Sequence, residues 1–154
     1  MNKDLLKQVR ITFYIFLERM VYDATGSDSK ILHVKCDVSD VTSIKESGRL
    51  AREKFGPVTL LINNAGIVSG KSILDLSDFM MKKTLEVNTL AHLYTIREFL
   101  PDMIALNKGH VVSIASIAGV VGLPKGSDYS ASKFGAFAID ECLRLEMKKN
   151  NYNI

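Results

Sequence analysis

The sequence has little of what builds a disulfide or metal framework. It contains no tryptophan, three prolines and two cysteines, Cys36 and Cys142, which do not indicate a disulfide scaffold. The histidines are scattered and form no Cys/His cluster, so no metal site is predicted. They are His33, His92 and His110. The net charge is only +3, with both signs interspersed, and this composition does not predict a nucleic-acid surface.

Long hydrophobic runs are also absent. A membrane-spanning helix needs about 18 consecutive apolar residues, and the strongest run, Ile11–Leu17, is much shorter. That run lies within an amphipathic helical pattern from about Asp4 to Asp23. No basic flank and cleavage site mark a secretory signal. The 154 residues, 47% apolar and 24% charged, predict at most one globular domain.

Helical and strand patterns alternate along the chain. The predicted elements are a helix at Asp4–Asp23, a turn at Gly26–Lys30, a strand at Ile31–Cys36, a helix at Asp40–Phe55, a strand at Val58–Ile62, a helical segment with a break at Ser77–Leu106, a strand at Val111–Ala115 and a helix at Ser127–Lys149. The second strand is nearly all apolar, as expected for a parallel strand covered on both faces. The alternation predicts an α/β fold with a doubly wound parallel sheet.

Tyr129 and Lys133 form the most informative pair in the sequence. Because they are four residues apart on a predicted helix, they lie on the same face. A phenol with an unperturbed pKa of about 10 is a poor base at neutral pH, and a neighbouring ammonium favours its anion. Ser116 follows the third predicted strand, at the strand end where open α/β sheets bind ligands. Together they predict a proton-transfer site, although a tyrosine and a lysine at this spacing also occur by chance.

Further motifs accompany this pair along the chain. Asn63–Gly66 (Asn-Asn-Ala-Gly) follows the second predicted strand, Asn88 lies within the long helical segment, and Asp37 follows the first strand. Taken singly, Asn63 could be a turn residue, Asn88 a helix break and Asp37 a helix cap. In this order and spacing, and with the proton-transfer residues, the set resembles the short-chain dehydrogenase/reductase family from about residue 31 to residue 154.

The resemblance implies catalytic roles for four residues. Tyr129 would be the general acid/base that exchanges a proton with the hydroxyl or carbonyl oxygen of the substrate. Lys133 would lower the pKa of that phenol and hydrogen-bond the nicotinamide ribose. Ser116 would hydrogen-bond and polarise the reacting oxygen. Asn88 would hold a water molecule that links Lys133 to bulk solvent.

The resemblance also implies that NAD or NADP is the cofactor. Asp37 would accept a hydrogen bond from the adenine amine, with Val38 packing nearby. Asn64–Gly66 would let the backbone approach the adenosine side. The implied cofactor-binding residues are Asp37, Val38, Asn64, Ala65, Gly66, Tyr129 and Lys133. The choice between NAD and NADP stays open, because this family usually sets it at the end of its second strand.

The pyrophosphate-binding turn of the family, Gly-x-x-x-Gly-x-Gly, does not occur in this sequence. Gly66 and Gly70 have the spacing of one glycine pair but follow a different motif. By motif order, Met1 falls after the second strand of the family and Ile154 at the entry to the sixth. We therefore expect a single incomplete domain over residues 1–154, a partial Rossmann-like sheet lacking its first two and last strands, and weak or no dinucleotide binding by this chain alone.

A finer likeness is to the branch of retinol dehydrogenases and 17-beta-hydroxysteroid dehydrogenases, carried by Phe99–Met103, Gly109–Ser116 and Tyr129–Gly135. It implies a lipophilic alcohol or carbonyl as substrate, such as a retinoid or steroid, and a location at the endoplasmic reticulum or lipid droplets. The alternative is a catalytically inactive piece that acts by interaction, as a homodimer through Ser77–Leu106 and Ser127–Lys149. The residues that could supply its apolar faces, or could be core, are Phe134, Phe137, Ala138 and Leu145.

Overall fold

The computed structural model describes residues 31–154. The chain divides into two units, residues 1–34 and 35–154, and every helix and strand that the structure describes belongs to the second. The predicted helix at Asp4–Asp23 and the predicted turn at Gly26–Lys30 lie outside the described residues.

Helices and parallel strands alternate in the second unit, as the sequence predicts. The helices are α1 (Val41–Phe55), α2 (Asp78–Leu85), α3 (Ala91–Leu106) and α4 (Ser127–Lys149). The strands are β1 (Leu60–Asn63) and β2 (His110–Ser113). A π-helical turn at Glu86–Leu90 joins α2 to α3, and a 3-10 turn at Ile117–Gly119 follows β2.

The helix ends follow the capping residues of the sequence. The side chain of Asp40 accepts a hydrogen bond of 2.9 Å from the backbone N–H of Thr42 at the start of α1, and Gly56, with φ of 79°, ends that helix. Ser77 caps α2 by accepting a backbone hydrogen bond. Asn107 ends α3 in the left-handed conformation, with φ of 46°. Short polar side chains at the start and residues with a positive φ at the end satisfy free backbone groups of these helices.

The predicted break in the long helical segment is the π-helical turn. It covers Glu86–Leu90 and carries Asn88, which is fully buried, at its centre. Such a turn widens the helix locally and is often found at functional sites. The prediction of a helical segment with a break over Ser77–Leu106 is therefore confirmed.

The strands β1 and β2 pair in parallel, with Leu60 opposite His110 at one end of the ladder. The strands predicted at Val58–Ile62 and Val111–Ala115 are confirmed, with their bounds moved by one or two residues. Adjacent parallel strands joined by helices are the expected unit of an α/β fold. The predicted fold class is thus confirmed.

Two predictions about the sheet are wrong. Residues 31–36 form no strand, because the hydrogen-bonded ladder of the described residues contains only β1 and β2. The strand β1 is also not covered on both faces. Leu60 and Ile62 are 54% and 55% exposed, whereas Asn63 is buried. Within residues 31–154, α3 is the helix that packs on β1, so only one face of this apolar strand is covered.

Arg52 ties α1 to α3. Its guanidinium donates hydrogen bonds of 2.6 Å to the carboxylates of Glu98 and Asp102 and lies 5.6 Å from the ring centroid of Phe99. Glu98 and Asp102 are four residues apart, so one guanidinium reaches both carboxylates on a single helix face. The apolar core beneath these helices includes Ile44, Val87, Ala91, Ile96, Met103, Ala118, Ala136 and Met147.

Gly109 packs tightly against the end of α3. A Cβ at this position would lie 2.6–2.7 Å from three side-chain atoms of Met103, which is fully buried and has little room to move. We predict that Gly109→Ala lowers the free energy of unfolding by about 1–3 kcal/mol through overpacking, measured by urea denaturation. Gly122→Ala is the control, because its Cβ would meet nothing within 4 Å. Equal stability of the two variants would contradict this packing.

Candidate active site

Asn88 connects three segments of the chain. Its side-chain oxygen accepts a hydrogen bond of 2.8 Å from the backbone N–H of Ile67, and its amide nitrogen donates to the carbonyl of the same residue at 2.8 Å. The amide also donates to the hydroxyl of Ser132 at 2.9 Å. Asn88 therefore fixes the loop after β1 to the π-helical turn and to α4.

Lys133 is a buried cation, only 4% exposed. Its Nζ donates a hydrogen bond of 2.7 Å to the carbonyl of Ile114, directly after β2. The same nitrogen lies 5.9 Å from the centroid of the Tyr129 ring. The sheet end thus holds an ammonium beside the phenol, in surroundings where charges interact more strongly than in water.

Ser132 holds the backbone between these two side chains. Its hydroxyl donates to the carbonyl of Tyr129 at 2.6 Å while it accepts from Asn88, and it is fully buried. No motif in the sequence predicts a role for Ser132. Its place between Tyr129 and Lys133 was the only signal that could have indicated one.

Ser116 caps the 3-10 turn. Its hydroxyl oxygen accepts a hydrogen bond of 3.2 Å from the backbone N–H of Ala118, which leaves the hydroxyl hydrogen available for a different acceptor. Gly119, at the end of the turn, is buried and packs closely on α4. A Cβ there would lie 3.0 Å from the backbone oxygen of Lys133. The turn therefore holds Ser116 beside the helix that carries Tyr129 and Lys133.

Gly66 lies where the loop after β1 passes both Asn88 and Lys133. A Cβ on Gly66 would lie 3.5 Å from the side-chain oxygen of Asn88 and 3.9 Å from the Nζ of Lys133. Asn64 and Ala65, just before it, are exposed. The structure thus brings three of the predicted site residues into direct neighbourhood and leaves the preceding backbone open to a ligand.

A cavity of about 90 Å³ lies next to this loop. Val38, Asn64 and Ala65 line it together with residues of β1 and α3. Asp37 takes part in a local turn, in which its carboxylate accepts hydrogen bonds from the backbone N–H and the hydroxyl of Ser39, at 2.9 and 2.6 Å. A local capping contact was the alternative that the sequence left open for Asp37.

His92 is buried beside the same cavity and is 2% exposed. Neither of its ring nitrogens, nor the side-chain nitrogen of Asn63, has a hydrogen-bond partner among the described residues. Burial first, and then the charge of Lys133, lower the pKa of His92 from its ordinary 6.5. The imidazole is therefore neutral at pH 7. The sequence carried no signal that distinguished this histidine from the others.

Residues 31–154 contain no group of three or more His, Cys, Asp or Glu side chains that could hold a metal ion. None of the helices in this part of the chain has both the length and the apolar content to cross a bilayer.

The sequence matches the family described as short chain dehydrogenase over residues 17–154. Among curated proteins, it is 43% identical to retinol dehydrogenase 10-B of Danio rerio, over 77% of this chain and 35% of that protein. It is 45% identical to epidermal retinol dehydrogenase 2 of Homo sapiens, over 72% of this chain and 36% of that protein. The chain thus spans little more than a third of the length of these relatives.

Solved structures resemble this chain in the same way. A metagenomic short-chain oxidoreductase in complex with NADP aligns with a TM-score of 0.70 and 29% identity, over 74% of this chain and 52% of that one. A variant of actinorhodin polyketide ketoreductase with NADPH aligns with a TM-score of 0.71 and 32% identity, over 73% of this chain and 44% of that one. Both neighbours were solved with a nicotinamide dinucleotide bound.

The neutral, buried His92 predicts a pH dependence of stability. Its folded-state pKa lies below the unfolded value of 6.5, so the unfolded chain binds the proton first as the pH falls. The free energy of unfolding should be fully retained above about pH 6.5 and should decrease below it, by at most about 1.4 kcal/mol per pH unit. In His92→Gln this part of the dependence should flatten, measured by urea denaturation at several pH values.

The matched control is His110→Gln, which makes the same change at an exposed imidazole. A slope in His92→Gln that equals that of the wild type would show that His92 takes up its proton equally easily in both states.

Proposed function

Since this chain belongs to the short-chain dehydrogenase family, we propose that the complete protein acts as an NAD(P)-dependent oxidoreductase that interconverts an alcohol and a carbonyl. One observation carries the proposal. The buried Nζ of Lys133 lies 5.9 Å from the ring centroid of Tyr129, and Ser116 is held beside the same helix. An acid/base, a cation that tunes it and a hydroxyl donor are the groups that this reaction needs.

In the proposed reaction, Tyr129 transfers the proton. During oxidation its oxygen accepts the proton of the substrate hydroxyl, and during reduction it returns a proton to the carbonyl oxygen. The charge of Lys133 stabilises the negative charge that develops on the phenol oxygen. The hydroxyl hydrogen of Ser116 is donated to the reacting oxygen, because the oxygen of that hydroxyl is already an acceptor for Ala118. Asn88 would hold a water molecule that links Lys133 to bulk solvent.

The residues present fit a nicotinamide dinucleotide in part. Lys133 would hydrogen-bond the nicotinamide ribose, with Tyr129 next to the nicotinamide. Asn64–Gly66 would lie along the adenosine side with Val38, which lines the same cavity as Asn64. Gly66 is exposed, and a Cβ added to it would lie 3.9 Å from the Nζ of Lys133. The backbone beside this lysine is therefore open to a ligand, which supports the placement. Asp37 would exchange its contact with Ser39 for the adenine amine. When bound, the cofactor supplies the hydride acceptor or donor.

A lipophilic substrate suits the surroundings of the site. The segment between Ser116 and Tyr129 exposes large apolar side chains, and the retinol dehydrogenases among the relatives are named for such an alcohol. These side chains, 43–68% exposed, are Ile117, Val120, Val121 and Leu123. We therefore propose a retinoid or steroid as substrate and the endoplasmic reticulum or lipid droplet as the place of action, where lipophilic alcohols partition.

Tyr129→Phe tests the proposed function in a version of the protein that carries the pyrophosphate-binding turn of the family, which this sequence lacks. The change removes one hydroxyl and keeps the ring, so it should lower turnover by about 10²–10⁴-fold and leave dinucleotide affinity nearly unchanged. Turnover is followed by the absorbance of reduced nicotinamide, with retinol and a 17-beta-hydroxysteroid as alcohols and with NAD⁺ and NADP⁺ in turn. Affinity is measured by isothermal titration.

Tyr152→Phe is the matched control, because it makes the same change at a residue outside the site and should retain turnover. Substantial turnover in Tyr129→Phe would exclude this tyrosine as the acid/base. A wild-type protein that carries the pyrophosphate-binding turn but neither binds a dinucleotide nor oxidises either alcohol would favour the second function below.

The second candidate function is a non-catalytic interaction piece that forms a homodimer. It is favoured by an apolar groove of about 600 Å³ between α3 and α4, lined by Leu93, Ile96, Leu100, Ala138, Ile139 and Leu143 among others. On the adjoining face of α4, Phe134, Phe137 and Leu145 are 46–53% exposed. Exposed apolar surface of this extent on two neighbouring helices is typical of a protein–protein interface.

A charge placed on this face should prevent dimerisation. We predict that Phe137→Glu converts the dimer to a monomer, or raises the dissociation constant of the dimer at least about tenfold. The reason is that the substitution would bury an unpaired carboxylate in the interface. The measurement is sedimentation velocity across a concentration series. Phe55→Glu, at a 52% exposed position at the end of α1 and outside both predicted interface segments, is the control and should leave the mass unchanged. A wild-type chain that is monomeric throughout the series would refute the homodimer.

A further inference from the structure

The carboxylate of Asp128 joins three parts of the chain. One of its oxygens accepts a hydrogen bond of 2.8 Å from the hydroxyl of Ser69, in the loop after β1. The other accepts one of 2.9 Å from the hydroxyl of Thr84, on α2. Asp128 itself lies in the first turn of α4, immediately before Tyr129. It is 7% exposed and Thr84 is fully buried.

A buried carboxylate needs strong partners, because removing a charge from water is costly. No cation pairs with Asp128 within residues 31–154, so its partners are the two hydroxyls and the positive end of the helix dipole of α4. The residue before that helix, Gly126, provides no side-chain cap. Hydrogen bonds to a charged acceptor are stronger than those between neutral groups. The Asp128 contacts are therefore strong enough to hold a loop in place.

The loop that Ser69 belongs to is held at two points. Ile67 is bonded through its backbone to Asn88, and Ser69 is bonded to Asp128. Between Gly66 and Gly70, which has φ of 66°, the loop is thus fixed from the π-helical turn on one side and from α4 on the other. Gly66 is the residue of this loop that lies next to Lys133.

We propose that Asp128 is a positioning residue that fixes residues 66–70 relative to Tyr129, so that the cofactor-facing loop and the proton-transferring side chain move as one unit. The purpose of this arrangement rests on the proposed function. The tether itself, meaning the hydrogen bonds from Ser69 and Thr84 to Asp128, does not. A residue that only stabilised the fold would contribute to unfolding free energy without controlling the local opening of this loop. A positioning residue therefore limits the local opening of the loop, whereas a purely structural residue affects only the free energy of unfolding.

Ser69→Ala separates the two roles. Ser69 is half-exposed, so its loss should leave the melting temperature nearly unchanged while the loop opens more often. The backbone N–H of Ile67 is the reporter, because it donates to Asn88 only while residues 66–70 keep the position that they have in the structure. Loss of a charge-assisted hydrogen bond should speed its hydrogen exchange by at least about tenfold. The ring-carbon NMR signal of Tyr129 should shift in the same variant.

Ser72→Ala is the matched control. It also removes a hydroxyl bond to a carboxylate, Asp75, in the same connection, but that bond does not reach α4, so exchange at Ile67 and the Tyr129 signal should stay unchanged. Asp128→Ala should speed exchange at Ile67 at least as much as Ser69→Ala. Asp128→Asn, which keeps one acceptor and gains a donor, should restore part of the protection.

The outcomes distinguish the tether from the activity. Unchanged exchange at Ile67 in Ser69→Ala, or an equal change in Ser72→Ala, would overturn the proposal. Faster exchange at Ile67 without any shift of the Tyr129 signal would also overturn it, because the loop would then not be coupled to that side chain. Faster exchange together with that shift supports it. None of these measurements needs cofactor or substrate, so failure of the Tyr129→Phe assay would refute the proposed function and leave the tether standing.

Discussion

The arrangement of the site depends on one primary amide. Asn88 is fully buried, and a buried amide must find partners for both its oxygen and its nitrogen. It finds them in the backbone of Ile67 and the hydroxyl of Ser132. Since those partners belong to separate segments, satisfying one side chain determines where a loop and a helix lie. No apolar residue could impose the same geometry, because dispersion contacts have no direction.

Around this amide, hydrogen bonds link the polar groups of the site, so that each group helps to position the next. Ser132, bonded to Asn88, also bonds the carbonyl of Tyr129, and Lys133 is bonded to the strand end at Ile114. The reactive side chains therefore obtain their positions from backbone carbonyls and buried hydroxyls, which cannot move without breaking hydrogen bonds. A preorganised site of this kind needs little rearrangement when charge develops during a reaction.

Much of this could be predicted from the sequence, where local chemistry decides the structure. Asp40, Gly56 and Asn107 bound their helices because capping depends only on neighbouring residues. The prediction of a strand at residues 31–36 was wrong, because a strand forms only where a neighbouring strand pairs with it, and no local pattern specifies that neighbour. The apolar composition of β1 likewise predicted two covered faces, but Leu60 and Ile62 are exposed. The proximity of Tyr129 and Lys133 could be predicted from their spacing on one helix face, whereas the unpartnered nitrogens of His92 depend on packing alone and carried no sequence signal.

The π-helical turn has a consequence for how this segment can vary. An α-helix rotates by about 100° per residue, so the extra residue carried within Glu86–Leu90 sets the phase between everything before it and everything after it. Thr84, facing Asp128, and Thr95, facing Asn63, are in phase with their partners only with that residue in place. Substitutions along the surface of these helices are compatible with this phase, whereas a deletion of one residue would leave an unbroken helix whose two halves face the wrong neighbours. The length of this segment is therefore more tightly constrained than its composition.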